Sequence, residues 1–424
     1  MFRELFNQIV IRMLLDMTVR KNPELIKWAV DAHQSGEIPP NTYVIDLDSV
    51  EENTRKIKQE ADKYGIENYF MTKQIGRNPI ISEAIVKNGI KKAVAVDFYE
   101  ACILDSFGIQ VGHVGHLVQV PRNFTEKVLK DIRPEVVTVY SYEKAVTISK
   151  VAERLGIKQD IMIRPYSSKD FFWPGQEGGI RVEDVERIAK AIQRLEALNL
   201  IGVTSYPCVE LNEEKTSLVA NSNFDSLIKA SNILKKLGIE VRQINAPGST
   251  CCAAMKVIHD HRGTHGEPGH GLTGDTYVHA YTEQPEKPCT IYVSEVSHFV
   301  AENTQAHRTN SPYQAKTAEA FGGGLYWRSN VAQALVGTSP DNIFENRYRV
   351  DPEKASAIGK AIDYYIPVEL DRKKAKEGDT VIFAFRYQIF TSRAFVAVVE
   401  GIRKKRPNLL GIFDRGYGEM RYKW

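Results

Sequence analysis

The sequence has 424 residues, enough for two or three folded domains at about 150 residues each. Hydrophobic residues make up 43% and charged residues 26%, as in an ordinary globular protein, which excludes disordered, collagen-like and low-complexity classes. The 56 Lys and Arg residues against 53 Asp and Glu leave a net charge of +3 spread along the chain, so nothing indicates a nucleic-acid-binding arm.

Residues 1–40 are predicted to form a helical extension. Their apolar run at residues 9–16 is broken by charge and is too short to span a bilayer or to form the apolar part of a signal peptide. Cysteine is sparse, with five residues of which two are adjacent, and this argues against a secreted disulfide framework. We therefore expect a cytoplasmic protein that does not act at a membrane.

Residues 41–270 alternate between short β-branched runs and amphipathic stretches of helical period, such as residues 182–197. Eight runs are predicted as strands: residues 69–72, 93–96, 114–120, 136–140, 161–164, 200–205, 241–245 and 264–269. This alternation predicts an α/β fold, a (β/α)8 TIM-type barrel. The alternative is an open doubly wound sheet, but neither of the glycine-rich nucleotide-binding motifs that mark such sheets is present.

Residues 271–424 are predicted to form a mostly β C-terminal domain. Short alternating runs at residues 290–296, 380–385 and 394–399, with turn chemistry at residues 377–379, are typical of antiparallel strands. The strand-like segment 42–47 precedes the first barrel unit. We assign this segment to the barrel domain, residues 41–270. The alternative is that it forms a strand of the second domain.

Active sites of such barrels form where the strands end at their carboxyl side, so polar residues at these points are candidates. Lys73 ends the first run, and an amine that loses solvation at an apolar barrel mouth is available to form a Schiff base with an aldehyde. Arg164 ends the fifth run, and Tyr206 follows the sixth. The alternative for each of these residues is an ordinary loop position.

The string Gly248-Ser249-Thr250, after the seventh run, has the outline of a phosphate cradle. A glycine turns the backbone, adjacent amides point outward and two hydroxyls can donate hydrogen bonds. The same string would also serve as a turn and helix cap. Beyond it, Glu267 places a carboxylate at the last strand end, where it could hold a pyridinium nitrogen protonated.

Residues 69–73, Gly248-Ser249-Thr250 and Glu267-Pro268-Gly269 resemble, in order and spacing, the alanine racemase-like (fold type III) pyridoxal-phosphate enzymes. Those enzymes combine a barrel with a C-terminal β domain. The Glu-Pro-Gly string is similar to that of the basic amino-acid decarboxylases. From about residue 40 to the end, the chain as a whole is most similar to the YhfX-like branch of racemase-like proteins.

The resemblance implies that pyridoxal 5'-phosphate is the cofactor and that Lys73 carries it as a Schiff base. It implies further that Glu267 faces the pyridine nitrogen, Tyr206 the ring face and Arg164 the phenolic oxygen. The residues it places around the phosphate are Gly248, Ser249, Thr250, Gly269 and His270.

Glu267 departs from the alanine racemases, which have an arginine at the pyridine nitrogen. A carboxylate keeps that nitrogen protonated and makes the ring a stronger electron sink, which stabilises the carbanion left by loss of either the Cα proton or the carboxylate. Racemisation and decarboxylation therefore both stay open.

A racemase also needs a second acid/base on the opposite face of the substrate. The resemblance places this residue in the β domain of a partner subunit, which implies a homodimer with shared sites. Candidates are Tyr326, Tyr387 and Cys289, although a tyrosine in a β core is often structural. Arg386 and Arg393 are candidates to clamp a substrate carboxylate, with surface ion pairs as the alternative.

A metal site is the competing hypothesis. Five histidines crowd into about twenty residues, and the first two have a spacing that can chelate zinc: His259, His261, His265, His270 and His279. Other folded proteins carry such clusters without an ion, and we predict no metal here. A metal would favour lyase chemistry, because related barrel enzymes that cleave hydroxy amino acids combine the cofactor with one.

We therefore predict a cytoplasmic homodimeric racemase that uses pyridoxal phosphate on a small-molecule amino acid and binds neither nucleic acid nor membrane. The alternatives are a pyridoxal-phosphate decarboxylase or lyase of the same fold, or a non-catalytic pyridoxal-phosphate-binding protein. The long β domain argues against the last of these. The sequence does not identify the amino acid.

Overall fold

The computed structural model describes residues 14–300, 316–325, 331–350 and 363–414. Eight parallel strands close into a barrel, each paired with its neighbour in chain order. We number them barrel strands 1 to 8: Glu67–Met71, Lys92–Val94, Val111–Val114, Val136–Val139, Gln159–Ile163, Leu198–Thr204, Gln243–Asn245 and His265–Gly266. The predicted TIM-type barrel followed by a mostly β domain is confirmed.

Helices between the strands cover the outside of the barrel and bury apolar faces against it. The main ones are Leu47–Tyr64, Pro79–Lys87, Phe98–Ser106, Tyr142–Leu155, Val185–Ile192, Ser222–Lys236 and Cys252–Asp260. Several begin at a side chain that accepts a hydrogen bond from a backbone N–H of the first turn, as Asp97 and Ser141 do. The helix predicted at residues 182–197 is shorter, because turns after Ile192 lead into barrel strand 6.

Barrel strand 3 differs most from its prediction, since it ends at Val114 where the predicted run begins. Gly115 turns the chain with a φ of +84°, and a Cβ there would lie 2.6 Å from the backbone oxygen of Thr138. The apolar run continues beyond this turn, but Val118 is 46% exposed. Because the strand ends early, His116, two residues after Val114, lies at the mouth of the barrel.

Among the described residues, the second domain is built around a sheet of nine strands. Its strands are Thr42–Asp46, Thr290–Phe299, Ala318–Phe321, Gln333–Gly337, Arg347–Arg349, Tyr365–Val368, Thr380–Phe383, Phe395–Glu400 and Asn408–Phe413. The segment Thr42–Asp46 lies inside this sheet, antiparallel to Thr290–Phe299 and parallel to Phe395–Glu400. The chain therefore passes from this sheet directly into the barrel.

The helix Pro23–Gln34 packs on the same sheet through buried residues that include Leu25, Ile26 and Val30. Residues 14–21 are also helical, and the rest of the N-terminal run predicted at residues 9–16 lies outside the described residues. Among the described residues, no helix has the length and apolar character needed to cross a membrane.

Candidate active site

A cavity opens at the carboxyl ends of the barrel strands. The side chains and loops that line it follow barrel strands 1, 3, 6, 7 and 8, and Arg386 reaches it from the second domain. Of the predicted cofactor-binding residues, those that line it are Lys73, Tyr206, Gly248, Ser249, Thr250, Glu267, Gly269 and His270. Residues almost 200 positions apart in the sequence are thus brought to one place.

Lys73 begins a short 3-10 turn directly after barrel strand 1. The backbone N–H of Met71 donates to the backbone oxygen of Pro268 (2.8 Å), which joins this strand end to the Glu-Pro-Gly string. The hydroxyl of Thr72 donates to the buried carboxylate of Glu100 and fixes the start of the turn. The Lys73 Nζ atom lies 5.9 Å from the centre of the Tyr206 ring.

Glu267 is a buried carboxylate whose two oxygens have different hydrogen-bond surroundings. Oε1 accepts hydrogen bonds from His113 Nδ1 (2.7 Å) and Asn245 Nδ2 (2.8 Å). Oε2 is buried and has no hydrogen-bond partner among the residues that the structure describes. Burial acts to raise the pKa of Glu267, but the neighbouring His116 and His113 and the two hydrogen bonds outweigh burial and lower it to about 2. Glu267 is therefore an anion at neutral pH.

The loop from Gly248 to Thr250 approaches neighbouring backbone very closely. Gly248 has a φ of +149°, and a Cβ there would lie 2.6 Å from the backbone oxygen of Val209. Ser249 has a φ of +37°, and the Thr250 hydroxyl donates to the Gly248 oxygen (3.3 Å). The Cys251 side chain does not cap the helix Cys252–Asp260 that follows, and the backbone N–H of Cys252 donates to the buried carboxylate of Glu286 (2.6 Å). The loop therefore exposes backbone and hydroxyls to the cavity, as a phosphate cradle requires.

Replacing Gly248 by alanine is expected to lower the free energy of unfolding by about 3 kcal/mol and to weaken binding of a phosphate group at this loop. The new Cβ would overlap the Val209 backbone, which cannot move aside as a flexible side chain can. Gly238→Ala is the matched control, because Gly238 also has a positive φ, of +74°, but no atom lies within 4 Å of the position that a Cβ would take there. Gly238→Ala should lower the free energy of unfolding by about 1 kcal/mol and leave phosphate binding at the Gly248 loop unchanged. Denaturant titration measures the free energy of unfolding, and titration with a phosphate-bearing ligand measures binding. Equal losses of stability in the two variants would show that the close contact between Gly248 and the Val209 backbone is not what makes glycine necessary.

Arg164 does not line the cavity. Its buried guanidinium packs against the rings of Tyr140 (5.0 Å) and Phe172 (4.9 Å) and donates to the Tyr140 hydroxyl. It also donates to the backbone oxygen of Tyr206 (3.4 Å). Arg164 thus supports the loop that carries Tyr206, and its place at the cofactor's phenolic oxygen stays a prediction.

Neither of the two candidate acid/base residues that the structure describes, Tyr387 and Cys289, is brought to the cavity. The Tyr387 hydroxyl donates to the backbone oxygen of Thr290 (2.8 Å), and its buried ring packs in the core. The Cys289 thiol is also buried and faces the backbone oxygen of Thr273 (3.6 Å). Tyr326 lies outside the described residues.

Of the two arginines predicted to bind a substrate carboxylate, Arg386 lines the cavity and Arg393 does not. Arg393 donates to the carboxylate of Asp363 (2.8 Å) away from the cavity. Arg386 lines the cavity, with its guanidinium 3.9 Å from the centre of the Tyr277 ring. Near it, His270 pairs with Asp275 (3.0 Å), and burial lowers the pKa of His270 to about 4, so that this ring is neutral at pH 7.

The five clustered histidines do not converge on a metal site. His259 and His261 are exposed and bond backbone oxygens, while His279 is buried beside Glu286. A different group does converge: His113, His116 and Glu267 offer ligand atoms that lie within 4.8 Å of one another. Sequence reasoning missed both histidines because it placed barrel strand 3 too late in the chain. The signal was the His-x-x-His spacing at the carboxyl end of that strand.

Two family models match the chain. Residues 45–277 match the alanine racemase N-terminal domain, and residues 291–409 match the YhfX-like C-terminal domain. The barrel, the β domain and these matches define the class: the chain belongs to the alanine racemase-like family, whose fold is that of the fold type III pyridoxal-phosphate enzymes. Within it the chain falls in the YhfX-like branch. It is 34% identical over 402 residues to the uncharacterized protein YhfX of Escherichia coli (strain K12), covering 95% of this chain and 98% of YhfX.

Solved structures show the same fold. The alanine racemase of Clostridium difficile 630 in complex with cycloserine is 17% identical, with a TM-score of 0.58, over 88% of this chain and 98% of that chain. The D-threonine aldolase of Filomicrobium marinum is 13% identical, with a TM-score of 0.61, over 89% of this chain and 95% of that chain. Enzymes of different reaction types therefore share this architecture.

Proposed function

We propose that this protein binds pyridoxal phosphate and acts as an amino-acid racemase that removes and returns the Cα proton. The observation that carries the proposal is the cavity that joins Lys73, the Gly248 loop and Glu267 at one end of the barrel. The proposal also draws on membership of the alanine racemase-like family.

The residues in the cavity fit the functional groups of this cofactor. Lys73 supplies an amine for the aldehyde, and the loop from Gly248 to Thr250 supplies backbone and hydroxyls for the phosphate. The buried Oε2 of Glu267 needs a donor, which a protonated pyridine nitrogen would provide. The fit is thus made by three separate groups of different chemistry.

When bound, pyridoxal phosphate supplies an electron sink that stabilises negative charge at the Cα atom of an amino acid. Lys73 would hold the cofactor and take or return the Cα proton from its own face of the substrate. Glu267 would keep the pyridine nitrogen protonated, because its carboxylate stays ionised. The Tyr206 ring, close to Lys73, would bound the site on that side.

We propose that a second copy of the chain supplies the acid/base for the opposite face. Tyr387 and Cys289 are buried against backbone oxygens, where a second copy could not reach them, which leaves Tyr326 as the remaining candidate. A homodimer in sedimentation analysis, with loss of racemisation in Tyr326→Phe, is the expected result. We also propose a cytoplasmic location, which the five free cysteines support.

Decarboxylation or lyase chemistry is the second candidate, and Glu267 suits it as well as racemisation, because a carboxylate at the pyridine nitrogen stabilises a carbanion formed by loss of any Cα substituent. Incubation of the loaded protein with a panel of amino acids in D2O separates the reactions. A racemase places deuterium at Cα and equalises the enantiomers, a decarboxylase releases CO2, and a lyase or aldolase cleaves the side chain. Loaded protein that catalyses none of these would be a pyridoxal-phosphate-binding protein.

Arg386→Ala is expected to raise the KM for the amino acid about 10- to 100-fold, because a charge-assisted bond to the substrate carboxylate is lost. Arg386 is the candidate arginine that lines the cavity. Arg393→Ala removes the arginine that pairs with Asp363 and is the matched control, with an unchanged KM. Steady-state kinetics measure both variants, and equal KM values in Arg386→Ala and the parent would remove Arg386 from substrate binding.

A further inference from the structure

We propose that His113 is a positioning residue that fixes Glu267 as an anion and leaves Oε2 to the pyridine nitrogen of the cofactor. The inference rests on the proposed function, since it concerns how the site would hold pyridoxal phosphate. It assigns a task to a buried histidine that the sequence patterns did not single out.

His113 lies on barrel strand 3 and is fully buried between two partners. Its Nδ1 lies 2.7 Å from Glu267 Oε1, and its Nε2 lies 2.6 Å from the hydroxyl oxygen of Thr138, on barrel strand 4. Because an ionised carboxylate only accepts hydrogen bonds, Nδ1 must carry the proton. A neutral ring then accepts the Thr138 hydroxyl at Nε2, so Thr138 selects the tautomer that donates to Glu267.

This arrangement makes the two oxygens of Glu267 unequal. Oε1 accepts hydrogen bonds from both His113 and Asn245, and these two bonds together fix the plane of the carboxylate. Oε2 is left buried without a donor in the described part of the chain, and Glu267 lines the cavity. A buried ionised oxygen without a donor is costly. A pyridinium N–H in the cavity would satisfy it.

The other account of the same residues is a metal bound by His113, His116 and Glu267. A tetrahedral ion with bonds of about 2.0 to 2.1 Å would hold its ligand atoms about 3.3 Å apart. Nδ1 of His113 and Oε1 of Glu267 are closer, at 2.7 Å, which is a hydrogen-bond distance. His116 Nε2 stands 3.7 Å from Oε2, beyond hydrogen-bond distance. The hydrogen-bonded account therefore fits the distances better.

The test uses the full-length holoprotein loaded with pyridoxal phosphate labelled with nitrogen-15 in its ring. The nitrogen-15 chemical shift reports whether the pyridine nitrogen is protonated, independently of turnover. The parent should show the shift of a protonated ring. His113→Phe should move the shift toward that of neutral pyridine, because Glu267 loses a donor and is less readily ionised. His113→Gln, whose amide can still donate, should keep the parent shift.

His265→Phe is the matched control, because His265 is also a buried histidine of the barrel but lies at the start of barrel strand 8, stacked on Tyr69. It should keep the parent shift. If His113→Phe does not fold, Thr138→Val, which removes only the hydroxyl that selects the tautomer, should move the shift in the same direction by a smaller amount.

A parent-like shift in whichever of His113→Phe and Thr138→Val folds would overturn the inference. So would one equivalent of zinc in the purified parent that is lost in His113→Gln. A parent protein that takes up no labelled cofactor at Lys73 is a different failure, because it removes the proposed function itself. Uptake of the label with a shift that is insensitive to residue 113 removes only the positioning role.

Discussion

Replacing Lys73 by alanine is expected to abolish covalent attachment of pyridoxal phosphate and to lower turnover by about a thousandfold or more. Lys73 is the lysine that lines the cavity with the Gly248 loop and Glu267. Without its amine, the cofactor has no covalent anchor there and the substrate loses the proposed base. The visible spectrum of the dialysed variant and Cα deuterium exchange measure the two losses.

Two further variants sharpen this result. Lys73→Arg keeps the positive charge but lacks an amine that forms a Schiff base, so it should be as impaired as alanine. Lys150→Ala, on the exposed side of the helix Tyr142–Leu155, should behave as the parent. A Lys73→Ala variant that kept the full visible band after dialysis would show that another residue carries the cofactor.

Glu267→Gln is expected to retain the cofactor but to slow turnover about a hundredfold. The glutamine oxygen can still accept from His113 and Asn245, so the local packing should survive. Its other end is then an amide N–H, which favours an unprotonated pyridine nitrogen and weakens the electron sink. Steady-state kinetics and cofactor titration of the variant measure the two properties separately.

The pH profile adds a check on the same carboxylate. Because the pKa of Glu267 is lowered to about 2, it stays ionised throughout the working range, and the parent rate should show no step from this group between about pH 5 and 9. Glu267→Asp keeps the charge on a shorter side chain and should lie between parent and glutamine variant. A Glu267→Gln variant with the parent rate would show that this residue does not protonate the ring.

The fold could be predicted well where the signals are local. The alternation of β-branched runs and amphipathic helices specifies the barrel, because each unit is built from neighbouring residues. The pairing of Thr42–Asp46 with Thr290–Phe299 and Phe395–Glu400 joins segments more than 200 residues apart, and no local pattern reports it. The end of barrel strand 3 escapes sequence reasoning for a different reason, since the apolar run continues past the turn at Gly115.

The residues of the candidate site also fall into two groups: those in short local motifs, which could be predicted, and those whose contacts depend on the folded barrel. The Gly248 loop and the Glu267 string are short motifs whose chemistry is readable in sequence, and the structure brings both to the cavity. The bond between His113 and Glu267 joins residues 154 positions apart, so it requires the closed barrel to exist. Tyr387 is a candidate by residue type alone, which does not show that its hydroxyl points to the Thr290 backbone.

The proposed function requires that Lys73 binds pyridoxal phosphate in this cavity. The most direct measurement is the visible spectrum of the purified protein, followed by borohydride reduction and mapping of the modified peptide. We expect a visible band that disappears on reduction and a pyridoxyl group on Lys73. No band after incubation with pyridoxal phosphate, or a pyridoxyl group on another lysine, would contradict it.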